Sequence, residues 1–199
     1  MLFRSLRFAS TVSGDTLVVF VDDTGLEQVT IGTGTGATAN LTGTTALVVD
    51  ASAAPNGLSL IGNGGANTLI GGAFADRLCG RGGNDVLTGG AGGDSFRFET
   101  ALNSLGNRDT ITDFNPGEGD RIELENAIFT KLIVTGPLAA EAFAVAASAT
   151  TAAQRILYDP SSGNLIYDSN GNAAGGAVVF AQVGTGLGAS LRADCFVVT

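Results

Sequence analysis

Between residues 62 and 97 the large apolar positions return at a fixed interval. Leu69, Leu78, Leu87 and Phe96 stand nine residues apart, each two places after a polar side chain: Asn67, Asp76, Asp85 and Asp94. The rest of each block is glycine, alanine or a small polar residue. A nine-residue period is neither that of a helix face nor that of a long strand. It predicts three-residue strands with one inward apolar side chain, joined by six-residue turns, as in a solenoid. Two blocks then close one flattened coil with a turn on each edge. Residues eighteen apart stack: Asp76 under Asp94, and Asn67 under Asp85 with Asp109 as the next rung.

Upstream the pattern is looser. Segments 16–21, 28–31, 46–49 and 58–61 are β-branched and apolar, separated by Gly, Thr, Asn and Asp, and read as short strands at roughly ten-residue intervals. Downstream, Asp109-Thr110-Ile111 and Asp120-Arg121-Ile122 repeat the order Asp, any residue, apolar, so the roll either continues there or leaves two solvated turn aspartates. The Ala-rich stretch 138–154 fits a short helix or a strand plus loop equally. Segments 156–158 and 165–167 flank a Pro/Ser/Gly turn and predict a hairpin; 177–183 gives another strand, and the chain closes on an apolar tail. Three parts follow: 1–61 as an irregular solenoid, 62–98 as the regular repeat and 99–199 as a β-rich cap. The expected class is all-β.

Composition sharpens this. Twelve of the 30 glycines lie between residues 62 and 93, so glycine belongs to the repeat rather than to a general bias. Hydrophobic residues at 44% supply a core, which argues against disorder. The net charge of −9 argues against nucleic acid or an anionic membrane surface as a partner, both of which need a basic face, and favours cations. With no histidine, His-based acid–base chemistry and the usual zinc sites are absent. Cys79 and Cys195 have neither disulfide-framework nor metal spacing and read as unpaired. Arg4 and Arg7 resemble a signal-peptide start, but Gly14 and Asp15 break the apolar stretch that should follow. No run is long enough to span a membrane.

A turn of the form Gly-Gly-x-Gly-x-Asp lets several backbone carbonyls face one point while the aspartate adds a charged oxygen. Oxygen-only ligation of that kind suits Ca²⁺, at six to eight ligands. The candidate ligands are Gly71, Ala73 and Asp76; Gly80, Gly82, Asn84 and Asp85; Gly89, Gly90, Ala91, Gly92, Gly93 and Asp94; and, at the ends of one edge, Asp109 and Asn67. Stacked aspartates repel one another without the ion, which couples folding to binding. The competing reading is a metal-free solenoid whose aspartates only cap turns. Residues 168–172, Asp-Ser-Asn-Gly-Asn, hint at an EF-hand, but the glycine is one place early and Val179 stands where the bidentate Glu belongs, so a hairpin turn is expected. Thr33-Gly34-Thr35 and Thr42-Gly43-Thr44 make two rungs of a threonine ladder, which β-propensity explains.

The blocks from 62 to 97 resemble the RTX (repeats-in-toxin, haemolysin-type) calcium-binding nonapeptides. Departures are the neutral Asn67, Phe74 at the fourth-position glycine and Arg81 at the second. The segments 108–124, 158–171 and 193–199 are similar to the C-terminal regions of type I-secreted RTX proteins, including the cap of serralysin-type proteases. The resemblance implies a right-handed parallel β-roll (a β-solenoid) with a C-terminal cap. It also implies export by type I secretion machinery to the extracellular side, on an uncleaved signal for which Asp194, Phe196, Val197 and Val198 are the candidates. Three function classes stay open: a secreted Ca²⁺-binding roll, the calcium-binding module of a secreted enzyme, and a cell-surface or matrix protein assembling, with itself or others, through its solenoid ends. No catalytic residue is expected in the chain.

Overall fold

The computed structural model describes residues 5–8, 18–21, 28–31, 38–41, 44 and 46–199. Short strands succeed one another: β1 (Ser5–Phe8), β2 (Val18–Val21), β3 (Gln28–Ile31), β4 (Thr38–Leu41), β5 (Val48–Asp50), β6 (Ser59–Ile61), β7 (Thr68–Ile70), β8 (Arg77–Cys79), β9 (Val86–Thr88), β10 (Ser95–Phe98), β11 (Asp109–Ile111) and β12 (Arg121–Leu124). Odd and even strands go to opposite sheets, all in parallel pairs. That alternation is the β-roll. Each turn carries the chain to the opposite sheet, so a strand pairs not with its sequence neighbour but with the strand one full coil away.

The register lines up the apolar slot. Val49, Leu69, Leu87 and Ile111 form one inward row; Leu60, Leu78, Phe96, Ile122 and Phe196 form the facing row. All nine are buried. Strand pleating gives one inward side chain per three-residue strand, which is why the nonapeptide carries a single large apolar position.

The cap follows as β13 (Gly136–Pro137), a 3-10 turn at Ala140–Ala142, β14 (Phe143–Val145), β15 (Ile156–Asp159), β16 (Asn164–Asp168), β17 (Ala177–Gln182) and, after two more 3-10 turns, β18 (Phe196–Val198). The Ala-rich stretch is therefore a strand plus loop. β15 and β16 form the expected antiparallel hairpin, and the 168–172 segment is the turn into β17. The strands β17-β16-β15-β14 extend the first sheet beyond β11, while β18 and β13 extend the second beyond β12. Phe129, in the segment after β12, packs edge-on against Tyr167 of β16 and Phe180 of β17, at 5.1 and 5.2 Å between ring centres. Phe98 packs on Phe180 at 5.0 Å, continuing the roll's core into the cap.

The expected strands 28–31, 46–49 and 58–61 match β3, β5 and β6 to within two residues at each end. Arg4, Gly14, Asp15, Thr16 and the Thr33–Thr35 step lie outside the described residues. Arg7 lies in β1. Both cysteines are free and buried, and burial pushes the Cys79 thiol up to about 12. Among the described residues no helix is long and apolar enough to cross a membrane.

Candidate calcium site

The edge turns are built around their terminal carboxylate. Asp76, Asp85 and Asp94 are 1–3% exposed, although each sits at a surface turn. Each side chain folds back over the first glycine of its own turn. A methyl group on Gly89 would come within 2.7 Å of the Asp94 carboxyl carbon, and one on Gly80 within 2.6 Å of that of Asp85. Glycine is required there for room. At Gly90, which has φ +99°, it is required for backbone conformation as well.

Each carboxylate then binds the coil before it. Asp85 Oδ1 accepts the Asn67 N–H at 2.6 Å, Asp94 Oδ1 the Asp76 N–H at 2.8 Å and Asp76 Oδ1 the Leu58 N–H at 2.6 Å, every pair eighteen residues apart. The ladder runs past the regular repeat. Asp109 Oδ1 accepts from the Asp85 N–H at 3.1 Å and Asp120 Oδ1 from the Asp94 N–H at 2.8 Å. One edge therefore reads Asn67, Asp85, Asp109 and the other Asp76, Asp94, Asp120. Insertions lengthen the steps to 24 and 26 residues without breaking the register.

The second carboxylate oxygens differ. Asp76 Oδ2 accepts the Gly72 N–H at 2.6 Å and Asp120 Oδ2 the Asn115 N–H at 2.8 Å. Asp85 Oδ2 and Asp94 Oδ2 are buried with no hydrogen-bond partner. A buried carboxylate oxygen left without a donor is costly. Burial accordingly raises the pKa of Asp94 to about 6, with the Asp120, Asp76 and Asp113 charges adding to it against the Asp76 N–H. Burial also raises Asp85, to about 6, and Asp109, to about 8; Asp109 faces the Asp85 charge, and a proton on Asp109 can be donated to the Asp85 carboxylate, which holds Asp85 down and Asp109 up. Asp76 and Asp120 shift upward for the same reason.

Carbonyls fill the gaps between stacked turns. The Gly80 oxygen lies 2.5 Å from where a methyl on Gly62 would be, and the carbonyls of Gly72 and Gly89 crowd Gly90 and Gly71 in the same way. Among the described residues no three carboxylates or thiols converge as a side-chain-only metal cluster. The donor set is backbone carbonyl plus carboxylate, hard oxygen throughout, and it fits Ca²⁺. Gly82 and Ala91 spend their N–H groups on the Asn63 and Gly72 carbonyls of the coil below, Gly92 stacks on Phe74, Gly93 faces the Glu118 carbonyl, and Ala73 is exposed.

The profile of the RTX calcium-binding nonapeptide repeat matches residues 61–96 in four copies. The chain carries RTX calcium-binding repeats. Among solved structures it is similar to two subunits of the Azotobacter vinelandii mannuronan C5-epimerase. With the AlgE6R3 subunit it shares 30% identity over 71% of this chain and 73% of that one, TM-score 0.45. With AlgE6R2 it shares 22% over 92% and 91%, TM-score 0.47. A comparison with curated proteins gives no match.

Two features of the RTX turns escaped the sequence reading. Asp113 caps the 89–94 turn, its oxygens accepting the Gly89 and Gly90 N–H groups at 3.0 and 2.8 Å. The signal was present in the Gly117-x-Gly119-Asp120 spacing, which marks 113–120 as another turn of the roll. Asn84, expected to offer its carbonyl, also uses its side chain: Nδ2 donates to the Leu105 carbonyl and Oδ1 accepts the Arg108 N–H, tying the 99–108 insertion to the turn. Of the departures at glycine positions named above, Arg81 keeps the left-handed backbone (φ 71°) of the glycine it replaces, whereas Phe74 is simply exposed.

Proposed function

We propose that the chain is a secreted RTX module that crosses the envelope unfolded and whose β-roll completes its folding outside the cell on binding Ca²⁺. The observation that carries this reading is the pair of buried, unpartnered oxygens, Asp85 Oδ2 and Asp94 Oδ2. Where calcium is scarce they make the stacked turns unfavourable; a divalent cation in the same gap converts that cost into binding energy. The ligands are drawn from Gly71, Asp76, Gly80, Asp85, Gly89, Gly90 and Asp94 and their neighbours, with Asp109 closing one edge. Residues 62–98 hold the ions and 99–199 cap the roll. Extracellular calcium modules bind at roughly 10⁻⁴ to 10⁻³ M, an affinity that stays unfilled in the cytosol and fills outside.

The tail supports the same order of events. Phe196 and Val198 are buried in β18 between β12 and β13, so a secretion apparatus reading Asp194 to Val198 meets them only before folding. The role is structural rather than catalytic. Circular dichroism and calorimetry in chelator and in millimolar Ca²⁺ test the reading: the expected result is a binding heat and a gain of β signal. Identical spectra and no heat would end it.

A further inference from the structure

The first turn of the repeat departs from its neighbours at two places, and the two departures meet. Asn63 stands where the second glycine belongs and Asn67 where the aspartate belongs. Both are 1% exposed. Asn67 Oδ1 accepts the Asn63 N–H at 2.8 Å, Asn67 Nδ2 donates to Asn63 Oδ1 at 3.0 Å, and the Gly65 N–H donates to that same oxygen at 2.8 Å. An aspartate at 67 has no proton to donate to Asn63, and a glycine at 63 offers no oxygen to receive it. The Asn67 Nδ2 to Asn63 Oδ1 bond needs both substitutions.

We infer that the 62–67 turn is a metal-independent end-stop, in which the Asn67 amide does through hydrogen bonds what a cation does at the charged turns. This rests on the reading that those turns take calcium. The turns ending at Asp85 and Asp94 each leave an oxygen unpartnered, whereas 62–67 closes on itself through these three bonds. Its neutrality also spares Asp85 a like charge on that side. Asn67 presents its backbone N–H to Asp85 Oδ1, so the first charged turn of this edge is laid on a turn already set. Ion binding on the upstream side of Asp85 is thereby replaced by an amide pair, and the ladder has a defined beginning.

The test uses the full chain. Hydrogen exchange in chelator is expected to show the Asn63 and Gly65 amides protected. Asn63→Gly, which removes the acceptor of the Gly65 N–H, lowers protection of the Gly65 amide about tenfold, the equivalent of one hydrogen bond, and leaves the number of bound Ca²⁺ unchanged. Asn67→Asp is expected to add one Ca²⁺ per chain and to lower the melting temperature in chelator only. Gly65 exchanging in wild-type protein as fast as in the denatured chain would overturn the inference. So would an Asn67→Asp variant whose ion count and chelator melting temperature both match wild type. A wild-type chain that takes up no Ca²⁺ would instead sink the calcium reading, while protection at Asn63 and Gly65 is measured independently of it.

Discussion

Asp94→Asn separates the cost of the buried charge from its use. The substitution keeps an Oδ1 acceptor for the Asp76 N–H at 2.8 Å and removes the negative charge from the unpartnered Oδ2. In the metal-free protein that charge is unfavourable: burial, together with Asp120, Asp76 and Asp113, lifts the pKa from 3.8 to about 6. At about 1.4 kcal/mol per pKa unit, discounted for solvent screening at the edge of the roll, relief is worth on the order of 2 kcal/mol above pH 7. For a chain of this length that is a rise of roughly 4–8 °C in melting temperature. With calcium the sign reverses, because the ion loses a charged ligand and the stabilisation by mass action shrinks. Thermal unfolding by circular dichroism in chelator and in millimolar Ca²⁺ therefore gives curves that cross: the variant melts above wild type without the ion and below it with the ion. Equal loss of stability in both buffers would refute the argument, since it would make Asp94 a turn cap and nothing more.

Protons should compete with calcium. Asp94 holds its proton in the folded metal-free chain up to about pH 6 but only to 3.8 when unfolded, so its contribution is whole below pH 3.8 and lost as pH rises through 6. Asp85 and Asp109 shift in the same direction, so structure in chelator is greater near pH 5 than near pH 8. Calcium titrations should weaken as pH falls over that range, and an affinity that does not move with pH would count against the buried carboxylates as ligands. Gly90→Ala places a methyl against the Gly72 carbonyl at φ +99°, and should lower stability by more than the roughly 1 kcal/mol of left-handed strain alone, read from urea midpoints. Leu87→Ala empties a fully buried position in the inward row; a loss of about 2–5 kcal/mol is expected, and saturating Ca²⁺ should not restore the wild-type core.

The roll was legible because one period encodes two things at once. Leu69, Leu78, Leu87 and Phe96 gave the inward rows, and the residues two places earlier gave the edges, down to which aspartate stacks on which. Asp109 and Asp120 were legible only as a choice. Their steps of 24 and 26 residues hide the period behind insertions, and it is backbone register rather than sequence spacing that restores it. Asp113 was missed for a related reason: it lies outside the slot that a nine-residue frame reserves for carboxylates, and it reaches Gly89 and Gly90 from the next coil. The Asn63–Asn67 pairing was invisible too. Each residue alone reads as a weakened consensus position, and only side-chain geometry shows that the two weaknesses cancel.

The two halves of the period also divide the energetics. The inward rows are apolar and buried; their burial favours the coil wherever the chain is, with or without an ion. The edges are conditional. They stack backbone on backbone so closely that glycine is obligatory at Gly80 and Gly89, and they leave two carboxylate oxygens without donors. A roll with neutral edges throughout, closed as Asn67 closes its turn, would be free to fold at once after synthesis. A roll with charged edges throughout would have no settled starting coil. The observed arrangement is one amide-closed turn followed by charged ones; on the proposed reading it keeps a template in place while the rest of the ladder waits on calcium.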